Sequence, residues 1–126
     1  MTDYRAYFKG KKVTVMGLGL LGRGVGDAAF LSECGAHVTV TDIKEAGMLA
    51  ASLAQLKTCP NITYHLGGHI ESDFTHADLV IKAAGVKLDS PYIHAAREAG
   101  VPVAMSTALF AQFAAAIGVT VVGVTG

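Results

Sequence analysis

The chain has 126 residues, a length that suits one domain with a genuine hydrophobic core. Hydrophobic residues make up 52% of it and charged residues 16%, and this composition excludes a disordered chain. Ten basic residues balance ten acidic ones, so the chain lacks the basic excess of a general nucleic-acid binder, and an anionic partner must be held by local geometry.

The cysteines and the two ends of the sequence predict a cytoplasmic protein that binds no membrane. Cys34 and Cys59 have no metal-ligand spacing and are typical of reduced thiols. Residues 1–5 lack the basic and then apolar order of a signal peptide. Residues 101–126 carry no charge and are long enough to span a bilayer, but proline, glycine and hydroxyl residues interrupt them. We interpret them as a short helix followed by a buried strand.

Strands and helices alternate along the chain. The sequence predicts strands over residues 12–16, 37–41, 62–65, 78–83, 102–105 and 119–124, and helices over 20–34, 44–57, 91–98 and 106–116. Gly35 should end the first helix, and Ser90 with Pro91 should begin the third as an N-cap followed by proline. This alternation predicts an α/β fold, a Rossmann-like parallel sheet with helices on both faces.

A glycine-rich turn lies between the first strand and the first helix. Residues 17–22 read Gly-Leu-Gly-Leu-Leu-Gly, a G-x-G-x-x-G pattern. Gly17 permits the tight turn, Gly19 lets a phosphate approach the backbone, and Gly22 lets the helix pack closely on the strand. The free amides at the helix start favour an anion there. The alternative is that a tight turn needs glycine whether or not a ligand binds.

Asp42 ends the second strand, twenty residues beyond Gly22. A carboxylate in that place can accept hydrogen bonds from a ribose or a base. The alternatives are a solvated loop acid or a helix cap. From these residues, two functions stay open. One is a dinucleotide-binding domain of an oxidoreductase or a ligand-sensing regulator, and the other is a domain that holds a different nucleotide in the same crevice.

Four stretches of the chain resemble the Mur ligases, and most closely the UDP-N-acetylmuramoyl-L-alanine:D-glutamate ligase (MurD) family. They are the opening residues 7–13, the glycine turn 17–22, residues 81–86 with the helix end at 99–103, and the final residues 121–126. The resemblance covers essentially the whole chain. It implies an ATP- and Mg²⁺-dependent ligase of peptidoglycan synthesis, with UDP-N-acetylmuramoyl-L-alanine and D-glutamate as its partners.

The end of the chain looks like the strand that leads into the family's ATP-binding phosphate loop, G-T-[NK]-G-K-[ST]. Gly126 matches the first glycine of that loop, and the lysine and hydroxyl residues that would follow are not in the sequence. We therefore expect a truncated piece. Residues 1–105 would form the UDP-substrate domain, and residues 106–126 would begin the central ATPase domain. Such a piece would contain no catalytic residue, hold no cofactor of its own and be inactive.

The resemblance also implies a set of substrate-binding residues. The backbone amides of Leu20 and Leu21, in the turn that Gly17, Gly19 and Gly22 shape, would face the diphosphate. Asp42 and Ile43 would contact the uracil, Lys44 would lie over the base or near a phosphate, and Gly85 would line the pocket. Three positions depart from the family pattern: Leu21 replaces a hydroxyl residue, Lys44 a commoner arginine, and Ala84 a proline. The alternative ligand is NAD, with Asp42 on the adenosine ribose.

Other polar and apolar groups favour structural interpretations. His65, His69 and His76 are interpreted as turn and surface histidines, because no cysteine or carboxylate completes a metal site with them at a suitable spacing. Residues 67–68 are interpreted as a turn, and Glu71 and Asp73 as acids of a solvated loop. An apolar stripe at Phe110, Phe113 and Ile117 is typical of a core-facing helix, and we hypothesise that residues 106–126 can also form dimer contacts.

Overall fold

A five-stranded parallel sheet forms the centre of the domain. The computed structural model describes residues 8–18, 23–82 and 90–104. Neighbouring strands pair in parallel in the order β3-β2-β1-β4-β5. The strands are β1 (Lys12–Met16), β2 (His37–Asp42), β3 (Ile62–Leu66), β4 (Leu79–Lys82) and β5 (Val103–Ala104). The order reverses between β1 and β4, and open α/β sheets bind ligands beyond the carboxyl ends of their strands at such a point.

Helices connect the strands and cover both faces of the sheet. They are α1 (Arg23–Glu33), a 3₁₀ turn (Ala46–Leu49), α2 (Ala50–Gln55), α3 (Glu71–Thr75) and α4 (Pro91–Glu98). Strand β1 contributes to two clusters, because successive side chains of a strand point to opposite faces. Val13 packs in a cluster with Leu31 of α1, whereas Met16 packs in a second cluster with Phe74 of α3 and Ile93 of α4. The predicted fold class is confirmed.

The predicted ends of two helices are confirmed by their cap geometry. Gly35 follows α1 with a φ of 86°, and its N–H donates to the Ser32 carbonyl at 3.0 Å. The next amide, Ala36, donates to the Leu31 carbonyl at 3.1 Å, which completes a Schellman motif. At the start of α4, the Ser90 hydroxyl accepts a hydrogen bond from the Tyr92 amide at 3.3 Å, directly before proline at the first helical position.

The segment after β2 is less helical than its sequence pattern predicts. A single helix over 44–57 is wrong, because a 3₁₀ turn of four residues precedes an α-helix of six. Leu49 and Leu56 are buried in the core, but Met48 is 65% exposed. The Lys44 amide donates to the Asp42 carboxylate at 2.9 Å, which turns the chain here and delays the helix.

Helix α3 is the element that the sequence interpretation missed. Its five residues, Glu71–Thr75, are too few to show a helical period. Phe74 is fully buried and anchors the helix to the sheet, while the Thr14 hydroxyl of β1 donates to the Asp73 carbonyl. Asp73 is therefore a partly buried residue of a helix, and its interpretation as an acid of a solvated loop is wrong.

The helices within the described ranges are all too short or too polar to cross a membrane. The predicted helix over 106–116 and strand over 119–124 lie outside the described residues, as do the apolar stripe, the hypothesised dimer contacts and Gly126.

Candidate functional site

The carboxyl end of β1 turns sharply at Gly17. This residue has a φ of 92°, a conformation that costs free energy for any residue with a Cβ, and its amide donates to the Thr41 carbonyl of β2 at 2.8 Å. Leu18 follows and is fully buried in the core. Glycine is therefore required here by the backbone. The predicted positions Gly19, Leu20, Leu21, Gly22 and Gly85 lie outside the described residues.

Asp42 ties this turn to the end of β2. Its carboxylate oxygen Oδ2 accepts a hydrogen bond from the Leu18 amide at 2.9 Å, and Oδ1 accepts one from the Lys44 amide at 2.9 Å. The residue is only 6% exposed, so Asp42 is not a solvated loop acid. The 3₁₀ turn that follows has Glu45 as its N-cap, so Asp42 is not a helix cap either. An ionised carboxylate has lone pairs beyond these two bonds, so Asp42 can still accept a hydrogen bond from a ligand.

Ile43 and Lys44 leave the sheet directly after Asp42. Ile43 is 70% exposed, which is unusual for so large an apolar side chain, and Lys44 is half-buried. The Lys44 carbonyl accepts a hydrogen bond from the Gly67 amide at 3.0 Å. The structure thus brings Gly17, Asp42, Ile43 and Lys44, four of the predicted site residues, to one edge of the sheet.

A second loop, residues 67–70 between β3 and α3, lies at the same edge. Gly67 and Gly68 have φ angles of 81° and 153°, which fits the predicted turn. The Gly68 amide donates to the Asp42 carbonyl at 3.1 Å, and together they form an isolated antiparallel bridge. The loop therefore packs directly against the residue that the sequence singles out for ligand binding.

His69 belongs to this loop, as its interpretation as a turn histidine predicts, but its side chain is partly buried and not a freely solvated surface group. Its Nδ1 lies 2.7 Å from the Thr41 hydroxyl, and its ring packs edge-on against Phe74 and Tyr92 with centroid distances of 5.8 and 5.0 Å. Burial lowers the pKa of His69, while the nearby carboxylates of Asp42 and Asp73 partly offset this. The sequence signal for His69 is its place after two glycines at the end of a strand.

Lys82 is a second residue that sequence reasoning did not select. It ends β4, only 9% of it is exposed, and its Cα pairs in register with Met16 next to the glycine turn. A buried lysine in an otherwise apolar strand is uncommon. Lys82 is the last residue of β4, next to the point where the strand order reverses.

The strand order, the sharp turn at Gly17 and the buried acid at the end of the second strand together define a Rossmann-like α/β domain. The family model described as "Mur ligase MurD-like, N-terminal domain" matches residues 11–105. The chain belongs to this MurD-like family of Mur ligase N-terminal domains.

Curated relatives agree with this family. The chain is 41% identical over 117 residues to a UDP-N-acetylmuramoylalanine--D-glutamate ligase of Treponema pallidum, covering 92% of this chain and 22% of the relative. It is 45% identical over 118 residues to the ligase of the same name from Anaeromyxobacter dehalogenans, covering 94% and 24%. The chain thus spans about a quarter of the length of the relatives it matches.

Solved structures with a similar fold include a Mur ligase. UDP-N-acetylmuramate-alanine ligase MurC from Thermotoga maritima aligns with a TM-score of 0.63 and 26% identity over 84% of this chain and 23% of that one. A pseudomurein peptide ligase type C from Methanothermus fervidus aligns with a TM-score of 0.57 and 21% identity over 81% and 20%. At that identity, the second similarity concerns the fold alone.

Proposed function

We propose that this domain binds the uridine diphosphate part of UDP-N-acetylmuramoyl-L-alanine. One observation carries the proposal: in a MurD-like domain, the buried carboxylate of Asp42 joins the glycine turn to the end of β2 at the ligand-binding edge of the sheet. This linkage fixes the start of the glycine turn, at Leu18, next to a hydrogen-bond acceptor. A nucleoside diphosphate needs these two groups together.

The diphosphate would bind at the turn through backbone amides. The chain has no net charge, so its affinity for an anion must come from local geometry and not from overall charge, and oriented N–H groups supply such a geometry. We assign this role to the amides of Leu20 and Leu21, with Gly19 allowing the close approach, Gly17 the tight turn and Gly22 the packing of the helix on the strand. Lys82 and Lys44 add positive charge at the same edge of the sheet.

The uracil would bind beside β2. The uracil ring carries an N–H group, which can donate a hydrogen bond to a free lone pair of the Asp42 carboxylate. Ile43 offers an exposed apolar surface to the base, and Lys44 lies next to it in the chain. Gly85 would line the pocket from the β4 side. An Asp42 that is held by two backbone amides does not change rotamer easily, so it presents one geometry to the ligand.

For the whole protein, we propose an ATP-dependent cytoplasmic ligase that adds D-glutamate to UDP-N-acetylmuramoyl-L-alanine in peptidoglycan synthesis. Support comes from relatives that carry this ligase name and are about four times as long as the chain. Residues 1–105 would supply substrate binding. We assign ATP, Mg²⁺, D-glutamate and the catalytic residues to regions of the relatives that this chain does not span, with residues 106–126 and Gly126 leading into them.

Isothermal titration calorimetry on the 126-residue chain tests the nucleotide. UDP-N-acetylmuramoyl-L-alanine and NADH are titrated in parallel under one buffer condition, with UDP alone as a third ligand. We expect the UDP ligands to bind and NADH to bind more weakly or not at all. Tighter binding of NADH would overturn the proposal and favour the dinucleotide alternative, in which Asp42 contacts the adenosine ribose.

A further inference from the structure

The loop of residues 67–70 is fixed to the end of β2 by four hydrogen bonds. The Gly67 amide donates to the Lys44 carbonyl, and the Gly68 amide donates to the Asp42 carbonyl. The Thr41 hydroxyl makes the other two: it donates to the Gly68 carbonyl at 3.4 Å and lies 2.7 Å from His69 Nδ1, the one contact that joins two side chains. The loop is therefore held in a fixed position relative to residues 41–44, which include the proposed base-binding residues.

His69 also anchors the loop on the side away from β2. Its ring lies between the sheet and two aromatic side chains, Phe74 of α3 and Tyr92 of α4, whose own centroids are 5.3 Å apart. Phe74 is fully buried, so this aromatic cluster is part of the core and cannot shift freely. The imidazole thus connects a rigid cluster to the end of β2.

Three large apolar side chains remain exposed in the described residues, and each lies in a segment that follows β2 or β3. They are Ile43 at 70%, Met48 at 65% and Ile70 at 46%. Ile43 and Met48 follow β2, whereas Ile70 follows His69 directly. Exposed apolar side chains on two loops at the ligand edge are typical of walls that a flat ring can contact.

We propose that His69 is a positioning residue for nucleotide binding, which holds the loop of residues 67–70 as the outer wall of the base pocket beside Asp42. The inference rests on the proposed function and adds to it a residue and a loop. His69 acts through Thr41 and Asp42 and does not itself need to touch the nucleotide. Removing the imidazole frees the loop and lowers affinity.

Protonation of His69 should loosen its hold on the loop. The groups that face it are Asp42 from β2, Asp73 from α3 and the Tyr92 ring from α4, and His65 of β3 contacts Asp73 in turn. Burial lowers the pKa of His69 more than the two carboxylates raise it, so the ring is neutral at neutral pH. A charge on this partly buried ring costs desolvation free energy, so protonation favours conformations in which the ring leaves the Thr41 hydroxyl for solvent. Affinity should therefore fall as the pH falls below the ordinary range of histidine.

Calorimetry with UDP-N-acetylmuramoyl-L-alanine on His69 variants tests the inference. This ligand is a diphosphate diester, so its phosphates keep their charge between about pH 5.5 and about pH 7.5, the range in which an ordinary histidine titrates. We expect His69→Ala to weaken binding about tenfold at neutral pH, the effect of losing one well-placed hydrogen bond and its ordering of a loop. His69→Asn keeps a polar atom near Nδ1, so it should recover most of the affinity without the pH dependence. His37→Asn, at the exposed amino end of β2, is the matched control and should bind as the wild type does.

Two outcomes separate this inference from the proposed function. If the wild type binds no UDP ligand, the proposed function fails, and the inference fails with it. If the wild type binds and His69→Ala binds within about twofold of it, the proposed function stands and the positioning role is wrong. Circular dichroism and urea unfolding of each variant, recorded first, show whether a weaker affinity comes from a lost fold. Should His69→Ala not fold, Thr41→Val takes its place, since it removes both the contact with His69 and the longer bond to the Gly68 carbonyl of the same loop.

Discussion

The carboxylate of Asp42 accepts a hydrogen bond at 2.9 Å from the backbone amide of Leu18, a residue 24 positions earlier in the chain. This bond connects the carboxyl ends of β1 and β2 through a side chain, in addition to the ladder between the two strands. A second bond from the Lys44 amide uses the other carboxylate oxygen. Asp42 therefore shapes the site as well as offering a group to a ligand.

Asp42→Asn should destabilise the domain and weaken nucleotide binding. Asparagine has one acceptor oxygen, so its amide group would face one of the two backbone N–H donors and leave that donor unsatisfied. A buried donor without a partner costs about 1–3 kcal/mol. Urea unfolding measures the loss. Asp78→Asn is the matched control, because the Asp78 carboxylate accepts a single exposed bond from the Lys12 amide at the opposite edge of the sheet. An equal loss in both variants would contradict the special role of Asp42.

Gly17→Ala should destabilise the domain, whereas Gly26→Ala should not. Gly17 has a φ of 92°, and a Cβ in that left-handed region costs about 1–2 kcal/mol. Gly26 lies inside α1 with nothing within 4 Å of a Cβ built there, so alanine should stabilise the helix by about 0.5–1 kcal/mol. Thermal unfolding of the two variants compares them directly. If both variants changed the thermal stability in the same direction, the turn at Gly17 would not require a residue without a Cβ.

Stability should decrease in mild acid because of His69. Its pKa is lowered in the folded state, so the unfolded chain binds the proton more tightly. The stability that the neutral His69 ring contributes is fully present above about pH 6.5, the ordinary pKa of histidine. It is lost as the pH falls from there through the lowered pKa of the folded state. Urea unfolding from neutral to mildly acidic pH should show the advantage of the wild type over His69→Asn shrinking. An advantage that grows toward acid pH would mean that the carboxylates outweigh burial.

Phe74→Ala should cost far more than Met48→Ala. Phe74 is fully buried and is the one buried residue of α3, so the cavity should cost about 3–5 kcal/mol. Met48 is 65% exposed, and its truncation should change stability by less than about 0.5 kcal/mol. Chemical denaturation measures both. A small effect of Phe74→Ala would show that α3 is not needed to hold the aromatic cluster around His69.

The parts of the fold that follow local patterns could be predicted from the sequence. The turn at Gly17, the Gly35 stop and the Ser90 cap each depend on neighbouring residues, and they form as predicted. Alternation of strands and helices was sufficient for the fold class because parallel strands need crossover helices. The place of Asp42 at the end of β2 also follows from this local pattern.

The rest depends on contacts between distant residues. Helix α3 is held by Phe74 packing against the sheet, and five residues carry no helical period of their own. The broken helix after β2 has a local cause instead: the Asp42 carboxylate accepts a hydrogen bond from the Lys44 amide, two residues later, which the apolar pattern of residues 44–57 does not reveal. His69 looks like a surface residue in the sequence, because its partners Thr41 and Tyr92 lie 28 and 23 positions away.

Mapping the amides that respond to ligand tests the central claim most directly. Nitrogen-15 labelled chain is titrated with UDP-N-acetylmuramoyl-L-alanine and followed by two-dimensional NMR. We predict the largest shifts at the carboxyl edge of the sheet, at Leu18, Asp42, Lys44 and Gly68, and little change at the amino edge, for example at Lys12 and Asp78. Shifts confined to the amino edge, or no shifts at saturating ligand, would contradict a nucleotide site at Asp42.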